Sequence, residues 1–211
     1  AGWYLLDLIN EILDLALIES GKMALSLEPV SLAEVMRECK AMIELQAQKR
    51  DITINFNQLE TPYFVKADHT RVKQIMINLL SNAIKYNKVG GTVVIAYSLT
   101  DTNSIRISVQ DTGAGLTPEL IGQLFQPFNR LGQNAKAEVG TGIGLVVCKR
   151  LIELMNGKIG VESTVGKGSV FWIELNLIIE TPLENQSQSQ SQAQSQDKTQ
   201  LHTLLYVEDN P

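Results

Sequence analysis

Gly140, Gly142 and Gly144 alternate through "VGTGIGLVVCKRL" (139–151), and the run passes straight into an apolar stretch with helical spacing. Each glycine inside a helix costs roughly 1 kcal/mol against alanine, so three would remove a sizeable part of a domain's roughly 5–15 kcal/mol margin. A fold that keeps them needs an offsetting gain. Two are open: a hinge, or a backbone that comes close to a ligand, with the amides of a helix N-terminus facing an anion. The run is not the dinucleotide pattern, because Leu145 stands where the third glycine belongs. It is not a Walker loop either, because no Lys-Ser or Lys-Thr pair follows.

Bulk properties narrow the class. A chain of 211 residues with 44% hydrophobic content can bury one large core. A net charge of -5 argues against nonspecific nucleic-acid binding, which needs a basic footprint. No apolar run approaches the roughly 18 residues of a membrane span, so no membrane contact is expected of this chain. Cys39 and Cys148 form no ligand cluster and read as buried thiols of a reducing compartment, which makes the expected location cytoplasmic.

The pattern along the chain mixes helices and strands. Residues 3 to about 20 carry Leu6, Ile9, Leu13, Ala16 and Ser20 at steps of three and four, with Gly21 as C-terminal cap. That face either joins a bundle with helices from outside this chain or packs on its own domain, and the pattern leaves both open. "ALSLEPV" reads as a short strand. Ser31 and Glu34 form a capping box opening a helix to about Lys49, with Val35, Met36, Cys39, Met42 and Ile43 inward. "DITINFN" and "YFVKA" alternate as strands, and Asp68 caps a helix that buries Val72, Ile75, Met76, Leu79, Leu80 and Ala83 and ends near Asn87. "GTVVIAYSL" and "SIRISVQD" form a hairpin across "TDTN", and Thr117-Pro118 opens a short helix. Gln126 to Val139 has no period and reads as a lid-like loop. A helix from about Gly144 to Met155 closes at Gly157, and "KIGVEST" and "SVFWIELNL" make a last hairpin. Residues 184–200 are a solvated Gln/Ser-rich linker, and "LLYVEDNP" reads as the start of something longer. The expected fold is α+β, a two-layer sandwich.

Other segments then join the glycine run. Asn78, Asn82 and Lys85 share one helix edge, either exposed and bonded to neighbouring backbone or offering a hard oxygen to Mg²⁺ and a cation to phosphate. "DTGAG" (111–115) ends a strand and taken alone is a turn. "NLLSNAIKYN" (78–87), "DTGAGL" (111–116), "LFQPFNR" (124–130) and "GTGIGL" (140–145) follow the order and spacing of N, G1, F and G2 boxes. The chain therefore resembles, over about residues 28 to 178, the ATP-binding catalytic domain of sensor histidine kinases. Residues 5 to 23 look like the second helix of that family's dimerisation and phosphotransfer domain, and the C-terminal octapeptide looks like the first strand of a receiver domain, with Glu208 and Asp209 as its acidic pair.

That resemblance implies a Bergerat-type α/β sandwich with ATP and Mg²⁺ as ligands. The implied domains are the partial bundle helix at 1–24, the ATP-binding domain at 25–180, the linker at 181–200 and the truncated receiver at 201–211. By position in the boxes, Asn82 would bind Mg²⁺, Asn78 would line the phosphate side, and Lys85 would reach a phosphate. Tyr86 would stack near the adenine and Asp111 would accept its amino proton, with Gly113 and Gly115 allowing close approach. Phe125 and Phe128 would anchor the lid, and Arg130 would reach the γ-phosphate. Gly140, Gly142 and Gly144 would let backbone amides cradle phosphates, with Leu116, Thr141, Ile143 and Leu145 lining the site. Asn82, Lys85 and Arg130 are the implied catalytic set.

The implied activity is transfer of the γ-phosphate to a histidine outside this chain and then to a receiver aspartate, in cis or on a response regulator. Full-length relatives would dimerise through the bundle. His69 and His202 lack an acceptor context, so the chain alone is expected to bind Mg-ATP without phosphorylating itself. The alternative is an ATPase of the gyrase B, Hsp90 and MutL kind, or a regulatory nucleotide-binding module.

Overall fold

The computed structural model describes residues 2–57, 61–127 and 141–178. Helix α1 (Gly2–Glu19) is followed by β1 (Glu28–Ser31) and α2 (Leu32–Gln48). Ser31 both ends β1 and caps α2, its hydroxyl accepting from the Glu34 N–H at 3.4 Å. The Glu34 carboxylate pairs with Arg37 at 3.4 Å on the exposed side. The expected strand over "ALSLEPV" shortens to begin at Glu28, because only Glu28–Ser31 finds a partner, antiparallel β3 (Phe64–Ala67). Leu32, Val35, Met36, Cys39, Ile43 and Ala47 of α2 are buried. Met42, expected inward, is 61% exposed. The contact with the domain follows the four-spaced row Val35, Cys39, Ile43 and Ala47, and Met42 falls beside that row.

Helix α3 (His69–Lys85) is the central helix. Asp68 caps it, accepting from the Arg71 N–H at 3.1 Å through one oxygen and from the Ser26 N–H at 3.0 Å through the other. Val72, Ile75, Met76, Leu79, Leu80, Ala83 and Ile84 are all at most 3% exposed, and each large aliphatic contributes about 1.5–3 kcal/mol on burial.

Beneath the helices lies a five-stranded sheet in the order β2-β4-β5-β7-β6. β4 (Thr92–Leu99), β5 (Ser104–Asp111), β7 (Gly168–Asn176) and β6 (Lys158–Thr164) are antiparallel neighbours, and β2 (Thr53–Phe56) adds to β4 in parallel. Parallel pairing needs a long crossover, and the segment through α3 supplies it. Ile105, Ile107 and Val109 of β5 and Phe171, Ile173 and Leu175 of β7 are at most 9% exposed. The other face mixes polar and apolar residues: the Arg106 guanidinium lies 3.9 Å over the Trp172 ring and pairs with Glu174 at 2.6 Å.

Short helix α4 (Pro118–Ile121) is capped by Thr117, and α5 (Gly144–Leu154) closes the helical layer. At its C-terminus the left-handed residue is Asn156 (φ 56°), while the Gly157 N–H bonds to Ile152 O at 2.9 Å. Both cysteines are buried, and burial pushes the Cys39 thiol up to about 12 and raises that of Cys148 as well. Such thiols are inert. Among the described residues, no helix is long and apolar enough to cross a membrane.

One face of α1 packs on the domain and another is exposed. Leu15 and Ile18 pack against the core, and Asp14 accepts from Arg71 Nη1 at 3.1 Å and Gln74 Nε2 at 2.8 Å on α3. Leu6, Ile9, Leu13 and Leu17 remain 43–55% exposed.

Candidate functional site

Helix α3 forms one wall of the site. Its half-buried edge carries Asn78 and Asn82, whose carboxamides bond to each other, Asn82 Nδ2 donating to Asn78 Oδ1 at 3.0 Å. That bond fixes the orientation of Asn82 and leaves its Oδ1 as a hard carbonyl donor. One turn on, Lys85 Nζ lies 4.9 Å from the centroid of the Tyr86 ring, and Tyr86 itself is 57% exposed.

Helix α5 meets this wall at its first residue. A Cβ on Gly144 would sit 2.2 Å from Asn78 Nδ2, so only glycine lets α5 begin against the asparagine edge. Gly144, which looks costly for a helix, is placed by this close approach. Gly142 adopts φ 73°, and α5 has no side-chain cap at Ile143, so its first amides face outward from the helix mouth. Ile143 is completely buried, and its side chain ties the run to the core rather than lining the mouth. Leu145 and Leu116 are partly buried against the same core. The Thr141 hydroxyl accepts from the Ile143 N–H at 3.3 Å and donates to Glu11 Oε2 of α1.

The third component is the turn after β5. Asp111 is 5% exposed, and its Oδ1 accepts from the Gly113 N–H at 2.8 Å and the Ser169 N–H at 3.2 Å. Burial raises its carboxyl above the ordinary 3.8, and the two backbone donors oppose that rise. The hydrogen bonds it accepts among the described residues both fall on Oδ1 and none on Oδ2. Gly113 abuts α3: a Cβ there would sit 2.3 Å from Tyr86 O. Gly115 (φ 72°) instead packs on the β6–β7 turn, with Thr164 O 2.1 Å from its would-be Cβ. Its role is to seat the turn on the sheet.

The structure thus brings Asn78, Asn82, Lys85, Tyr86, Asp111, Gly113, Gly142 and Gly144 to one end of the sandwich. Phe125 is partly buried in the core's margin, with Lys149 Nζ 5.5 Å from its ring centroid. Phe128, Arg130 and Gly140 lie outside the described residues, as do the linker and the "LLYVEDNP" segment. Sequence reasoning missed Ser169 and Glu11. Ser169 acts through a backbone N–H contributed from 58 positions away, which leaves no trace in residue type. Glu11 sits in an amphipathic helix whose apolar positions drew the attention. Among the described residues, no cluster of three His, Cys, Asp or Glu could hold a metal.

A family model described as histidine kinase-, DNA gyrase B-, and HSP90-like ATPase matches residues 67–179. The sensor histidine kinase GacS of Pseudomonas protegens is 42% identical over 179 residues, which cover 82% of this chain and 19% of that protein. Full-length ShkA, solved in complex with AMPPNP, superposes with a TM-score of 0.72 at 31% identity, over 82% of this chain and 36% of that one. Histidine kinase ThkA in complex with the response regulator protein TrrA gives a TM-score of 0.63 at 29% identity, over 81% of this chain and 46% of that one. This chain therefore spans about a fifth of GacS and about a third of ShkA.

Proposed function

The chain belongs to the histidine kinase-, DNA gyrase B- and HSP90-like ATPase family, and on that premise we propose that it is the ATP-binding catalytic domain of a two-component sensor kinase. One observation carries the reading: α3 is a shared wall, touching the glycine run through Asn78 and the Asp111 turn through Tyr86. A nucleotide laid along that wall meets a carboxylate at one end and helix-terminal amides at the other.

Each residue then has a task. Asp111 Oδ2 accepts from the adenine amino group, and the two backbone donors on Oδ1 hold it there. The first amides of α5, with Gly142 and Gly144, face the phosphates, as Gly140 would by its place in the box, and the helix terminus adds about 0.3–1 kcal/mol toward an anion. Lys85 supplies positive charge to the phosphate chain, and by their place in the boxes Arg130 would add to it and Phe125 and Phe128 would anchor the lid. The donor set fits Mg²⁺, which prefers a few protein oxygens with phosphates and waters: Asn82 Oδ1 would hold it, and bound there it would neutralise phosphate charge. Such sites act by positioning and charge stabilisation rather than covalent work.

The phosphate acceptor is a histidine outside this chain, and a receiver aspartate follows it. The exposed stripe Leu6, Ile9, Leu13 and Leu17 is the surface through which α1 would enter a dimeric bundle in a longer protein. ThkA's complex with a response regulator supports the receiver as partner. The testing experiment supplies γ-labelled ATP, Mg²⁺ and a separately purified histidine-bearing bundle domain. Label should appear on that domain only when this chain is present, and never on this chain alone. ATP binding without any transfer would favour a regulatory nucleotide-binding module.

A further inference from the structure

Beyond the residues that would touch the nucleotide, a closed ring of hydrogen bonds joins the end of α3 to the Asp111 turn. Asn87 Nδ2 donates to Thr92 O at 3.0 Å. The Thr112 hydroxyl donates to Asn87 Oδ1 at 3.1 Å and accepts from the Thr92 N–H at 2.9 Å. Thr92 opens β4 and Thr112 directly follows Asp111, so three chain segments converge on one carboxamide. The fit is tight, because a Cβ on Gly91 would sit 2.3 Å from Asn87 Oδ1. On its other side Asn87 borders a cavity of about 340 Å³, also lined by Arg50, Asp51, Ile84 and Lys88. Without its bonds, the segment has room to swing away.

We infer that Asn87 is a positioning residue for base selectivity, a clasp that fixes the distance between α3 and the Asp111 carboxylate. The inference rests on the proposed contact between Asp111 and a nucleobase amino group. An ionised carboxylate accepts from that amino group, and it repels the carbonyl that guanine carries at the same ring position. The repulsion discriminates only if the carboxylate cannot retreat. The Gly113 N–H holds the Asp111 carboxylate within its own turn and the Ser169 N–H holds it to β7, whereas the clasp holds the turn against the helix that carries Asn78 and Asn82. Cutting the clasp lets the turn yield, so selectivity falls while the phosphate end keeps its contacts.

The test compares ATP, GTP and inorganic tripolyphosphate, each with Mg²⁺, by calorimetric titration of the unaltered chain, Asn87→Ala, Thr112→Val and Thr112→Ser. Loss of one partly buried hydrogen-bond partner predicts that Asn87→Ala and Thr112→Val lower the ATP-to-GTP affinity ratio about five- to tenfold, with tripolyphosphate changed less than about twofold. Thr112→Ser keeps the hydroxyl and should keep the ratio. A merely structural role would weaken ATP and tripolyphosphate together. That outcome, or an unchanged ratio in either folded variant, overturns the clasp. Failure of the unaltered chain to bind ATP at all would overturn the nucleotide reading itself, and the clasp with it.

Discussion

Replacing Asp111 by Asn changes one charge and almost no volume, and the local geometry fixes the consequence. Gly113 and Ser169 donate backbone N–H groups to Oδ1, at 2.8 and 3.2 Å, so an asparagine must keep its oxygen there. Its Nδ2 then takes the place of Oδ2, and a donor confronts the amino group that the carboxylate would accept from. The loss is a charge-assisted hydrogen bond of about 1.5–3 kcal/mol, which corresponds to roughly 10- to 150-fold weaker ATP binding. The fold should not suffer. Burial raises the Asp111 carboxyl, and a raised folded-state value means its contribution to stability is complete below the ordinary value of 3.8 and lost as pH climbs through the folded one. Once ionised, the carboxylate is therefore the less stable partner for this site. Asp111→Asn should melt no lower than the parent at neutral pH, and any advantage should shrink on acidification. Calorimetry with ATP and Mg²⁺, alongside thermal melts from neutral to acidic pH, reads both quantities. ATP affinity within twofold of the parent would refute the assignment, and a large loss of melting temperature at pH 7 would refute the burial argument.

Four further substitutions probe the remaining components. Gly144→Ala should gain helix propensity yet drive a methyl into Asn78, weakening ATP binding by about tenfold in the same titration. Asn82→Ala should remove most of the enhancement that Mg²⁺ gives to ATP affinity, about tenfold, seen by titrating with and without the metal. Asp14→Ala cuts the links to Arg71 and Gln74, and amide exchange in α1 should quicken by about tenfold while α3 stays protected. Glu11→Gln removes a negative charge beside Thr141, so ATP affinity should rise about two- to fivefold at low salt and less at high salt, by the same calorimetry.

What could be read from sequence was local. Asp68 and Ser31 cap helices because their side chains reach backbone three residues on, and the β4–β5 and β6–β7 hairpins close over short turns. Alternation and helical spacing mark buried faces wherever one side meets water, as on α3. The parallel placement of β2 beside β4 was not legible, since partner choice across a crossover leaves no local pattern. Nor was the exposure of Met42, which depends on the row of α2 that meets the domain. At the site, residue types named Asn78, Asn82 and Asp111, but the reason for Gly144 appears only when Asn78 is found against it. Backbone donors such as Ser169 N–H carry no side-chain identity and cannot be read from letters at all. For α1, spacing alone could not tell which face meets the domain, because Glu11 and Asp14 are polar residues that face inward.

The central claim is that one magnesium nucleotide bridges the asparagine edge of α3, the Asp111 turn and the mouth of α5. Amide chemical shifts followed while ATP and Mg²⁺ are titrated to millimolar concentration test it most directly. Saturable shifts should concentrate at residues 78–87, 111–116 and 141–145, with the opposite end of the sheet, around Ser104 and Asn156, unmoved. Shifts confined to other surfaces, or none at millimolar nucleotide, would contradict it.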